Sequence, residues 1–220
     1  MFLSFMQAVN DVSDAALTIL YEDDALLVCV KPRGILSAKD ASGKCAAADL
    51  LLPRTTYPVH RLDRDTCGLL LLAKTPGCAA YLSGIMGSGF SKEYLALCEG
   101  CPEEAGELTD LLFHDRTRNK TYVVRRKRAG VKEARLSYRV LRGGEQSVLR
   151  IRLFTGRTHQ IRVQFASRGY PLVGDRKYGA SCAGPLQLYA WRLQFLHPDG
   201  RNMCFTLPAE FLPEEIRKEL

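Results

Sequence analysis

The chain is 220 residues long, 46% hydrophobic and 25% charged, proportions ordinary for a globular protein and too apolar for a disordered one. No run approaches the roughly 18 to 20 consecutive apolar residues that a membrane-spanning helix needs. The opening MFLSFM lacks the positive start and the length of an export signal, so a cytoplasmic protein with no membrane partner is expected. The formal net charge is +7, and it is unevenly spread. Residues 116–135 hold Arg116, Arg118, Lys120, Arg125, Arg126, Lys127, Arg128, Lys132 and Arg135 against the single acid Glu133, a net of +8 that leaves the rest of the chain at −1. One short stretch thus carries the whole surplus. It reads as a polyanion-binding face, nucleic acid first, with a merely solvated basic hairpin as the bland alternative.

In chain order, Leu17–Val30 reads as two short strands around the acidic turn at 22–24, ended by Lys31-Pro32-Arg33-Gly34. Residues 45–52 suggest a short helix. GLLLLAK at 68–74 is a continuous apolar run, as in a strand buried on both faces. A helix follows over 77–86 and a strand over 92–98. Alternation at 135–141 and 148–154 predicts two more strands. Thr158–Ser167 fits an amphipathic helix, with Ile161 and Phe165 four apart and Gly169 as its stop. No linker or repeat divides the chain. The irregular mixture predicts an α+β fold with a largely antiparallel sheet.

Eight cysteines without an export signal read as reduced thiols, Cys29 and Cys98 packed in apolar segments. Cys98 and Cys101 form a lone CxxC, and Cys182 and Cys204 stand apart, so no metal site is expected.

Three segments combine polar residues with turn chemistry beyond what packing requires. His60-Arg61-Leu62-Asp63-Arg64-Asp65-Thr66-Cys67-Gly68 abuts the buried strand, and an aspartate at that mouth needs an opposing charge to stay ionised. Alternatively, Asp63 or Asp65 caps the turn and pairs with a neighbouring arginine. In Thr155-Gly156-Arg157-Thr158-His159-Gln160-Ile161-Arg162, a helix starting at Thr158 would present free N–H groups to an anion, with Arg157 and Arg162 beside it for phosphate or carboxylate. A well-capped basic helix is the alternative. In Lys92-Glu93-Tyr94, Tyr94 could stack on a base or simply be core.

Together these motifs resemble the RluA-type pseudouridine synthases. The resemblance rests on HRLDxxTxG at 60–68 followed by LLLLAK, KPxG at 31–34, KEYxA at 92–96, GRTHQIRV at 156–163 and GYPLVGD at 169–175 completed by Arg176 to Gly179. It spans about residues 18–208, in the family's order. It implies a pseudouridine synthase fold, a long bent mixed sheet with flanking helices and a central cleft for RNA, over 18–220 behind an N-terminal extension at 1–17. Asp63 matches the family's catalytic aspartate, Tyr94 its active-site tyrosine, Arg162 the arginine that pairs with the aspartate, and Arg61 a residue that helps displace the target base. His60, Arg157 and the run Arg125, Arg126, Lys127 and Arg128 are expected to contact RNA. Cys67 stands where the motif usually has serine, a small-for-small exchange. The roughly 30 residues ahead of Lys31 are too few for the small RNA-binding domain many relatives carry. Recognition is then expected to rest on the catalytic domain and its basic segment. Turning uridine into pseudouridine oxidises nothing and loses no group, so no cofactor is expected, and a monomer is the default. The substrate is ribosomal or transfer RNA, with ribosomal RNA favoured.

Rival readings are weaker. A glycosidase would need two opposed carboxylates, but Asp63 and Asp65 are two apart and on a strand would point the same way. A Cys–His hydrolase using Cys67 has no local oxyanion hole. A non-catalytic RNA-binding module or rRNA chaperone would not be expected to keep Asp63, Tyr94 and Arg162 together.

Overall fold

The computed structural model describes residues 17–38 and 46–220. The N-terminal extension, apart from Leu17, and the first residue of the helix expected at 45–52 lie outside the described residues. The chain divides into two compact units, one ending at Gly84 and the other running Ile85–Leu220.

In the first unit, β1 (Thr18–Glu22) and β2 (Leu26–Lys31) form the hairpin expected from the acidic turn. Asp23 closes that turn, its carboxylate accepting the N–H groups of Ala25 and Leu26 at 2.8 and 2.9 Å. The 45–52 segment provides only a single turn of 3-10 helix at Asp49–Leu51. β3 (Tyr57–Pro58) and β4 (Cys67–Ala73) follow, then α1 (Pro76–Gly84). β4 pairs antiparallel with β2, Val28 opposite Leu71 and Lys31 opposite Gly68, and with β3. Every residue of β2 and β4 is buried, as the unbroken apolar run at 68–73 predicts. Each buried leucine there contributes on the order of 1.5–3 kcal/mol.

The second unit holds β5 (Phe90–Glu99), β6 (Ala105–Asp115), β7 (Lys120–Val124), β8 (Val131–Arg142) and β9 (Gln146–Leu153), then α2 (Gln160–Ala166), β10 (Leu188–Leu196), β11 (Asn202–Thr206) and α3 (Glu214–Arg217). Its sheet runs β10-β5-β9-β8-β6-β7, with β11 on β10, and all these pairings are antiparallel. The strands expected at 92–98, 135–141 and 148–154 are present. β6, β7, β10 and β11 were not anticipated.

α2 differs from its sequence reading. It begins at Gln160, not Thr158, and Gln160, Ile161, Arg162, Val163, Gln164 and Phe165 are all buried, so it is enclosed on every side and not amphipathic. Val163 packs on Leu112 of β6 and Ala134 of β8. Its polar residues find partners inside: the Gln164 amide nitrogen donates to the Asp110 carboxylate at 2.7 Å and to Leu108 O at 3.3 Å, while its buried Oε1 has no partner among the described residues. The stop at Gly169 is as expected. Tyr170 N–H donates to Phe165 O and Gly169 N–H to Ala166 O, both at 3.1 Å, with Gly169 at φ +85°. That left-handed ending favours a residue without Cβ.

Candidate active site

The first unit builds a clamp around the loop that carries Asp63. Lys31, at the end of β2, is fully buried, and its ammonium donates to the carbonyls of Pro32 (2.7 Å), Ile35 (2.9 Å) and Arg64 (3.0 Å). A buried ammonium is tolerable only when its protons are taken up in this way. Gly34 N–H donates to the same Arg64 carbonyl at 2.9 Å. At Leu62, two residues before Arg64, the buried Ser37 hydroxyl accepts the N–H at 2.9 Å and donates to the carbonyl at 3.0 Å. Thr66 N–H donates to Asp63 O at 3.1 Å. The backbone is therefore fixed before, at and after Asp63, which stands half-buried in the loop ahead of β4. Burial pushes the Lys31 pKa down to about 8, while the negative charges of Cys67 (when ionised), Asp63 and Asp65 oppose that shift.

The ionisable run at 60–65 sorts into different positions. Arg61 and Arg64 are exposed. Asp65 takes the bland role foreseen for one of the two acids, its carboxylate pairing with the Arg64 guanidinium at 2.9 and 3.3 Å. His60 is buried, and its Nε2 accepts the Leu71 N–H at 3.1 Å, continuing the edge of β4 just past the end of β3. The ring thus holds a strand N–H within the core, and its RNA contact stays an expectation.

In the second unit Tyr94 is buried on β5, opposite Ile151 of β9 and Ala190 of β10. The β5–β10 register shifts between Ala190 and Arg192, so a bulge at Trp191 adjoins the tyrosine, a frequent neighbour of functional sites. Lys92, two residues earlier on the same strand face, lies near Met86 Sδ (4.0 Å) and the Phe90 ring (5.7 Å), and burial lowers its pKa. Its ammonium lies against the loop ahead of α2, 3.2 Å from where a Cβ on Gly156 would stand.

Arg162 projects from α2 into a two-point fork with Asp175, Nε to Oδ2 at 2.6 Å and Nη2 to Oδ1 at 2.8 Å, both side chains buried. Its guanidinium also stands 5.1 Å from the centre of the Tyr178 ring. Gly174 allows the approach: at φ +79°, a Cβ there would collide with the Pro185 carbonyl. The Tyr178 hydroxyl accepts the Thr121 N–H at 2.9 Å and meets His159 Nδ1 at 2.9 Å, which ties this corner to β7. Asp175 and Tyr178 lie in motifs noticed in the sequence, but nothing there indicated their roles, and Lys31 and Ser37 were equally silent.

No open anion site forms at the start of α2. The Gln160 side chain closes it, its Oε1 accepting from Arg157 N–H (3.0 Å) and the Thr155 hydroxyl (2.8 Å). Arg157 itself is exposed, with Nε donating to Glu133 O at 2.9 Å. In the basic segment, Arg128 lies over Phe113 and Arg135 over Phe154, at 4.9 and 4.5 Å. Arg125, Arg126 and Lys127 are exposed on the turn between β7 and β8.

The seven described cysteines are free thiols, and burial raises Cys29 and Cys98 to about 12. Among the described residues no group of three or more His, Cys, Asp or Glu is placed to hold a metal ion, and no helix is long and apolar enough to cross a membrane.

Comparison with known proteins gives one consistent family. Residues 25–167 match the family model described as RNA pseudouridylate synthase. The chain is 36% identical to the ribosomal large subunit pseudouridine synthase D of Nitrosomonas europaea, over 96% of this chain and 67% of that one. It is 34% identical to the dual-specificity RNA pseudouridine synthase RluA of Salmonella typhimurium, over 94% and 99%. Among solved structures, human RNA pseudouridylate synthase domain containing 1 aligns with a TM-score of 0.73 at 23% identity, covering 91% of this chain and 86% of that one. Human RNA pseudouridylate synthase domain containing 4 aligns at 0.70 and 24%, covering 88% and 90%. These alignments match the fold expected from the motifs.

Proposed function

The chain belongs to the RNA pseudouridylate synthase family, and we propose that it isomerises specific uridines of structured RNA with Asp63 as the catalytic carboxylate. The observation that carries this assignment is the clamp on its loop: Ser37, Lys31 and Gly34 hold the peptide groups on either side of Asp63, while Asp65 is occupied by Arg64. Such preorganisation is what a group acting on a precisely placed sugar or base requires.

The reaction breaks the bond from uracil N1 to the ribose, turns the base, joins C5 to the same sugar carbon and releases the C5 hydrogen as a proton, while N1 takes up a proton. One carboxylate suffices, attacking the sugar or base covalently or abstracting a sugar proton. Tyr94 stacks on the uracil, and Arg162, oriented by Asp175, supplies positive charge to the site. The base must leave its stack to be reached, at a cost of a few kcal/mol. Arg61, exposed beside Asp63, fills the vacated space and offsets part of that cost. One relative is named for the large ribosomal subunit, which supports ribosomal RNA as the favoured substrate, with transfer RNA as the second candidate. A monomer working in the cytoplasm without metal, through a catalytic domain spanning 18–220, belongs to the same proposal.

The test is tritium release from RNA labelled at uracil C5, with ribosomal and transfer RNA assayed separately and Asp63→Asn as control. Release by the wild type alone supports the reading and identifies the RNA class. Tight binding without release would instead indicate a non-catalytic RNA-binding module, and free uracil in the supernatant would indicate a glycosidase.

A further inference from the structure

A pocket of about 300 Å³ opens in the second unit between the β6–β7–β8 face and the loop ahead of α2. The strand register builds its floor: His114 of β6 lies opposite Thr121 of β7, and Leu112 of β6 lies opposite Lys132 of β8. Arg116 and Arg157 complete a lining that contains three cations and no carboxylate. The acids next to lining residues in sequence alternate to the opposite faces of their strands: Asp115 follows His114 on β6 and engages Arg118, and Glu133 follows Lys132 on β8 and offers this side its carbonyl, to Arg157 Nε.

The wall is fixed. The Thr121 hydroxyl donates its one hydrogen to Thr158 O at 2.9 Å, so at 3.1 Å it must accept from His114 Nδ1–H, which orients the imidazole. Arg116 and Lys132 differ from their paired neighbours in lacking partners, and from the exposed Arg125, Arg126 and Lys127 in lining the pocket. Arg118 pairs with Asp115, Lys120 lies over Tyr122 and Tyr178, and Arg128 and Arg135 stack on phenylalanines. The side chains of Arg116 and Lys132, both exposed, make no hydrogen bond or ion pair among the described residues. Unpaired cations converging on an acid-free, preformed pocket are what an anion needs.

We propose that this pocket binds one phosphodiester of the RNA backbone, positioning the substrate on the second unit. The inference rests on the reading of the protein as an RNA-modifying enzyme and adds a specific contact to it. It also divides the basic segment: Arg116 and Lys132, with Arg157, make the contact, whereas Arg125 and Arg126 supply only general charge.

Binding of ribosomal and transfer RNA should be measured across a salt series for the wild type, for Arg116→Gln/Lys132→Gln, and for the charge-matched Arg125→Gln/Arg126→Gln. All four positions are exposed, and unchanged thermal midpoints verify folding. The pocket variant should bind about tenfold more weakly, with the slope of log affinity against log salt flatter by about 0.7–0.9, the value of one lost phosphate contact. The charge-matched variant should lose less than about threefold, since only long-range charge changes. Equal losses in the two variants would assign the effect to a diffuse field and overturn the proposal, as would unchanged binding by the pocket variant. Inorganic phosphate raising the melting temperature of the wild type but not of the pocket variant, with RNA binding unchanged, would assign the pocket to a free anion and also overturn it. A wild type that releases tritium while the pocket variant binds normally overturns the pocket alone. A wild type that neither binds nor modifies either RNA overturns the functional reading and the pocket with it.

Discussion

Arg162 and Asp175, thirteen residues apart, meet in a buried fork at 2.6 and 2.8 Å, with the Tyr178 ring 5.1 Å from the guanidinium. Removing the Asp175 carboxylate strips two charge-assisted hydrogen bonds and a counter-charge from a buried guanidinium. Asp175→Asn should therefore cost about 3–5 kcal/mol of folding stability, the usual result of removing one partner of a buried ion pair. Urea unfolding measures it. A loss under about 1 kcal/mol, the range of an exposed pair, would show that Arg162 does not depend on Asp175.

Asp63→Asn changes charge and chemistry but hardly changes shape, and its loop is held through backbone groups that the substitution leaves in place. Turnover should disappear while RNA affinity stays within about threefold of wild type, because phosphate contacts dominate such binding. Residual turnover above a few percent would remove Asp63 from the catalytic role.

Elements announced by one local pattern were legible in the sequence. The acidic turn at 22–24, the run GLLLLA and the alternation at 148–153 became β1–β2, β4 and β9. β6 was not legible because only Leu108 and Leu112 of its eleven residues are buried, too sparse for a period-two signal. α2 was misread because Arg162 and Gln164 look like a solvent face, whereas their partners Asp175 and Asp110 lie 13 and 54 residues away. The same holds at the site. The motif pointed to Asp63, but the clamp joins Ser37 to Leu62 across 25 residues and Lys31 to Arg64 across 33. No local pattern records such pairings.

Ser37→Ala would leave both the N–H and the carbonyl of Leu62 without their hydroxyl partner inside the core. The expected cost is about 1–3 kcal/mol, the range for buried polar groups left unpaired. If the clamp positions Asp63, kcat should fall several-fold with KM nearly unchanged, and Ser37→Thr, which keeps the hydroxyl, should restore most of it. Equal loss in both variants would indicate packing at this position and not positioning.

Lys31 should give the fold a pH dependence of known sign. Burial holds its pKa at about 8 in the folded protein, below the ~10.4 of an unfolded lysine. Between these values the unfolded chain binds the extra proton, so the lysine's contribution to stability rises with pH from about 8 to about 10. Below about 8 the fold bears the full penalty of the buried charge. Lys31→Met removes this titration and leaves every other group in place. The stability of the wild type relative to Lys31→Met should therefore increase between pH 7 and pH 9.5, measured by urea unfolding of both proteins at each pH. A difference independent of pH would show that Lys31 titrates alike in the folded and unfolded chain, and one that falls would mean that its charge is favoured in the fold.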